Sequence, residues 1–165
     1  MEEQLLQDVS DAVTRVFDAI DTDGPDQAQS IRSLTWVMSP ATIVHARTGD
    51  PSLLRRTHDA MTRFVDSAVA QDGSMRPLLA SFRELPPFCE AYEYLKSQDQ
   101  LDSQTRSRTD ALIAASADSH LGSTDWGAQN RATVDAAGFY AVADSIPDHP
   151  HASRWRGYGD ALIED

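Results

Sequence analysis

From Leu5 to Ile20 the apolar positions Leu5, Leu6, Val9, Val13, Val16, Phe17 and Ile20 recur at the i, i+3, i+4, i+7 spacing of one helical face. Asp21-Thr22-Asp23-Gly24-Pro25 then breaks the pattern. A second helical stretch is predicted over about 27–47 on Ile31, Leu34, Val37, Met38, Ile43 and Val44. Pro40 is expected to kink or divide it, because proline removes a backbone donor. Asp50-Pro51 reads as a cap followed by proline at the first helical position, opening a helix that carries Leu53, Leu54, Met61, Phe64, Val65 and Val69 and stops at Gln71-Asp72-Gly73-Ser74. Pro86 and Pro87 start a short helix through about Lys96, and the next runs from Asp102 to about Leu121. A further helix is predicted from about Trp126 to Ile146, and the last from near Pro150 to the final residue, Asp165.

Strict alternation of β-branched residues between hairpin turns is missing, so a sheet is not predicted. About seven helices joined by short links favour antiparallel neighbours, that is, an all-α fold of successive αα-hairpins in a single domain over 1–165. Trp36 is assigned to the core, and Arg55-Arg56 to a solvated helix face.

Charge narrows the function classes. The 165 residues carry a net charge of -12, from 20 Asp and 6 Glu against 13 Arg and a single Lys, Lys96. Short hydrated carboxylates in place of long lysine stems resemble the surfaces of salt-adapted proteins, and a GC-rich coding sequence produces the same bias. Either way the long-range field repels polyanions, so nucleic acid and anionic membrane are not expected partners. No apolar run approaches the ~20 residues of a membrane span, and the acidic start Met1-Glu2-Glu3 is unlike a secretory signal, so a cytoplasmic protein is expected. One cysteine, Cys89, excludes an internal disulfide and a Cys-based zinc site, and it reads as a small buried hydrophobe. His45, His58, His120, His149 and His151 show no paired metal-binding spacing, and His149-Pro150-His151 reads as an interhelical turn; neither metal nor cofactor is expected.

The richest stretch chemically is Asp125-Trp126-Gly127-Ala128-Gln129-Asn130-Arg131. Trp126 offers a plate for a pyranose face, while Asn130 and Arg131 supply donors that hydrogen-bond and neutralise a carboxylate. An acidic sugar fits that set. Glu90 adds an acceptor for a sugar hydroxyl one turn from Tyr94, although the start of a helix favours glutamate on its own account.

Three segments together, Leu85 to Lys96, Asp125 to Ala132, and Pro147-Asp148-His149-Pro150 with Arg154-Trp155-Arg156, resemble the helical toroid of heparinase II/III-like and alginate-lyase-like polysaccharide lyases. The resemblance covers about the last half of the chain. It implies a partial (α/α) toroid that binds an acidic polysaccharide or oligosaccharide and cleaves uronate linkages by β-elimination. Asn130 and Arg131 would neutralise the substrate carboxylate; Tyr92, Tyr94, His120 and Tyr140 would be the candidates for base and acid, with Trp126 and Glu90 in substrate binding. A complete toroid has more hairpins than this chain provides, so the chain is expected to be the N-terminal part of a longer one, whose uncovered apolar edges favour a homo-oligomer. Two alternatives stand beside it: a non-catalytic helical interaction or dimerisation domain, and a glycoside hydrolase toroid, for which Glu90 and Asp125 are the only carboxylate pair to nominate.

Overall fold

The computed structural model describes residues 2–23, 28–79, 83–121 and 129–164, with the side chains of 2, 22, 23, 28–32 and 129–131 outside that description. Seven helices lie among the described residues: α1 (Glu2–Asp23), α2 (Ala28–Thr48), α3 (Pro51–Ala68), α4 (Leu85–Ser97), α5 (Ser103–His120), α6 (Gln129–Ser145) and α7 (Ala152–Glu164). The fold is all-α, and no strand is present among those residues. No described helix is long and apolar enough to cross a membrane.

Local chemistry sets the boundaries. Asp50 accepts from the Ser52 amide at 2.8 Å, and Pro51 follows as the first residue of α3. Asp102 does the same for α5, accepting from the Thr105 amide at 2.7 Å. Both carboxyls are held below the ordinary aspartate value, Asp50 chiefly by the Ser52 hydroxyl and then its amide, Asp102 chiefly by the Thr105 amide and then its hydroxyl. Gly49, at φ 71°, lets the chain leave α2 through the left-handed region while its amide bonds the His45 carbonyl at 2.8 Å.

Two expectations about helix integrity change. Pro40 does not divide α2, which runs unbroken through it. The carbonyl deprived of its donor belongs to Trp36, a residue 52% exposed, so water can reach that side of the helix. The third helix ends at Ala68, before Gln71, because Val69 and Met75 form an isolated antiparallel bridge and the Ala70 amide bonds Ser74 instead.

Successive hairpins stand side by side, with like helices adjacent. α4 packs between α2 and α6, while α3 packs on α5. Ser39 meets Glu90 and, farther along both helices, His45 meets Tyr94, so α2 and α4 run in the same direction. Asp66 of α3 pairs with Arg108 of α5 at 2.7 Å, and His58 lies near Asp102, which gives those two a common direction as well. α7 returns antiparallel on α6: Tyr140 meets Asp160, and Asp144 meets Arg156. At Gly159 the two helices lie close, so that a Cβ there would meet the Ala136 carbonyl and the Tyr140 ring at 3.4 Å, in ordinary van der Waals contact.

The core fills the space between the two sets of helices, with Phe64, Phe88, Met38, Leu95, Leu112 and Trp155 among its largest buried side chains. Phe64 and Phe88 meet at 5.4 Å between centroids, joining α3 to α4. Trp36 is not part of this core; the apolar stripe of α2 that faces the other helices passes through Leu34, Val37, Met38, Ala41 and Val44 instead. Arg56 likewise is not freely solvated. It lies over the Phe17 ring at 4.9 Å and pairs with Asp18 and Asp21, strapping α3 to α1.

Candidate functional site

The seam between α2 and α4 carries the densest polar chemistry reached by the predicted residues. Glu90 is exposed and accepts from the Ser39 hydroxyl at 2.7 Å. One turn on, the Tyr94 hydroxyl lies 2.7 Å from His45 Nδ1, with the rings edge to face at 5.7 Å. Both Tyr94 and His45 are half-buried, so the pair sits at the mouth of the seam. Either the phenol donates to Nδ1 or Nδ1–H donates to the phenol oxygen, according to the imidazole tautomer, so the two groups are placed to pass a proton between them. Lys96 completes the C-terminal end of α4, bonding Glu93 at 2.7 Å and the Ser145 carbonyl at 3.1 Å.

The other predicted residues lie elsewhere. Tyr92 points to the opposite side of α4 from Glu90, is 1% exposed, and donates to Asp110 at 2.6 Å. Burial, then the Asp110 hydrogen bond, pushes its phenol well above the usual tyrosine range, so it stays protonated and committed to α5. His120 Nε2 lies 3.1 Å from the Leu79 carbonyl and ties the loop before α4 to the end of α5. Tyr140 donates to Asp160 at 2.7 Å between α6 and α7, and that bond raises its phenol. The structure therefore brings Glu90 and Tyr94 together and leaves Tyr92, His120 and Tyr140 at three separate places.

Asn130 and Arg131 fall in the first turn of α6, the end of a helix whose dipole favours an anion. Successive helical residues point about 100° apart. Positions 130 and 131 therefore belong to different faces of α6. Their side chains lie outside the described residues, as do Trp126 and Asp125 entirely.

Sequence reasoning assigned no role to Ser39 or His45. It also missed a cluster at the α6–α7 turn. Asp118 accepts from the Trp155 indole at 2.8 Å and lies 2.9 Å from His151 Nδ1, while the His149 ring stacks on Trp155 at 4.7 Å. The turn predicted at His149-Pro150-His151 is thus pinned to α5. Among the described residues no group of three or more His, Cys, Asp or Glu is arranged to hold a metal ion. Cys89 is buried, and burial pushes its thiol up to about 12, so it is inert as a nucleophile.

No protein family, curated protein or solved structure matches the chain.

Proposed function

We propose that this chain is a helical toroid segment of a carbohydrate-active protein, and that it binds uronate-containing chains for cleavage by β-elimination. The observation that carries this reading is the Tyr94–His45 pair at 2.7 Å beside exposed Glu90 on the seam between α2 and α4. Helices α2, α4 and α6 packed in a row are how stacked helix pairs build a curved wall.

β-Elimination breaks the C5–H bond and the C4–O bond of a uronate, forms a C4–C5 double bond, and gives a proton to the leaving oxygen. The first step needs positive or hydrogen-bonding groups at the carboxylate, where charge develops. Asn130, Arg131 and the first turn of α6 lie fifteen residues, about 22 Å, along α6 from Ser145 beside Lys96, so they hold the carboxylate of a uronate several rings along the chain from the one at Tyr94. Tyr94 hands a proton to the leaving oxygen or receives one from C5, with His45 as its exchange partner. Glu90, kept in place by Ser39, accepts from a ring hydroxyl.

The test is titration of oligouronates into the wild type and into Tyr94→Phe, His45→Gln, Asn130→Ala and Arg131→Ala, followed by Trp fluorescence and by the ultraviolet absorbance of the unsaturated product. Weaker binding in the α6 variants, with turnover lost in the α2 and α4 variants, is the expected pattern. Equal affinity in all five proteins, or equal affinity for a neutral oligosaccharide, would sink the proposal.

A further inference from the structure

The edge formed by α1 and α2 is open and apolar. Leu5 is 64% exposed, Trp36 52% and Ile43 57%. Between the two helices runs a groove of about 610 Å³, and only Asp8 and Ser33 among its lining residues are polar. Along α1 the positions Leu5, Val9, Ala12, Val16 and Ala19 follow one another at alternating steps of four and three residues, the spacing of a helix-packing seam. Ala12, at the middle, is small enough to admit a second helix closely.

The charges beside this seam have a symmetry. Asp8 and Arg15 are both exposed and lie two turns apart on the same flank, one on each side of Ala12. We propose that this edge seats a second copy of the chain, α1 packing antiparallel on its partner's α1 about a two-fold axis near Ala12. Such an axis sets like flank against like flank in reversed order, so Asp8 of each copy meets the partner's Arg15, twice over. A parallel pairing would set the Asp8–Arg15 flank of one copy against the partner's opposite flank, the apolar Leu6, Val13 and Ile20, and pair neither charge. A basic helix from another protein would satisfy Asp8 and repel Arg15; the two-fold arrangement satisfies both. Trp36 and Ile43 lie beside the seam and widen the contact into four helices. A stable interface covers at least about 1,000 Å² in total, and one tryptophan carries roughly 150–250 Å², so the exposed side chains of both copies supply an area of that order. This interface is independent of the sugar reading.

Sedimentation of the full chain over a concentration series in about 0.15 M salt, where charges more than about 8 Å apart are screened, is expected to show a monomer–dimer equilibrium. Ala12→Glu should abolish the dimer while leaving the helical circular dichroism unchanged, because Ala12 is exposed. Arg15→Asp should weaken it about tenfold, and adding Asp8→Arg should bring the affinity back to within about threefold. Ala12→Cys should cross-link to its partner on oxidation, free of competition from buried Cys89. A monomer at every concentration overturns the proposal, as does a dimer indifferent to Ala12→Glu, one not restored by the charge swap, or one in which Ala12→Cys fails to cross-link.

Discussion

Asp118 serves two donors at once, the Trp155 indole at 2.8 Å and His151 at 2.9 Å, and the Trp155 side chain is fully buried. Removing the carboxylate leaves that indole N–H without its acceptor, a loss that costs about 1–3 kcal/mol for a buried donor. Asp118→Ala should therefore lower urea stability by about that amount, and Asp118→Asn, which keeps an acceptor oxygen, by less. Equal losses in the two variants would show that the acceptor is not what matters. At this scale the sequence is legible only where partners are close along the chain. The cap at Asp50 reads directly, since Ser52 is its own neighbour, whereas Ser39–Glu90 and His45–Tyr94 join residues 51 and 49 positions apart. No spacing rule reaches across that gap. Tyr92 and Tyr94 look equivalent in sequence, yet two residues on a helix point to different sides, and one phenol is sealed against Asp110 while the other meets the seam.

Helix ends carry their own pH dependence. Asp50 and Asp102 both cap helices, and both have carboxyls lowered below the ordinary aspartate value. A lowered native value means that the ionised cap stabilises the fold fully above the unfolded value, and that this contribution disappears as pH falls through the native one. Asp50→Ala should cost less than about 1 kcal/mol at neutral pH, because the cap is exposed to solvent. Its melting temperature should converge with that of the wild type in acid. A gap that stays constant down to strongly acidic pH would mean that charge plays no part in the cap. Apolar periodicity and Pro/Gly punctuation located all seven described helices, and the misjudgements came where tertiary contacts decide. Trp36 sits on an apolar-looking helix, but the face of α2 that meets its neighbours is the one through Val37, Ala41 and Val44, so the largest side chain is left outside. The end of α3 moved to Ala68 because Val69 found Met75, a bridge invisible to helical spacing.

For the whole molecule, charge opposes compactness. With a net charge of -12 the folded chain repels itself, and the range of that repulsion is about 30 Å at 0.01 M ionic strength but only about 3 Å at 1 M. The melting temperature should rise from dilute buffer to molar KCl. An unchanged value would leave coding bias as the source of the aspartates. Following that rise needs a probe of opening, and the chain already contains one. Cys89 lies at 2% exposure with a thiol pushed up to about 12, so an alkylating reagent can reach it only when the packing around α4 comes apart. Its modification rate at fixed pH is therefore a clock for the transient open population. Each tenfold slowing on adding salt corresponds to about 1.4 kcal/mol of added protection in the regime where reclosing outpaces the reagent.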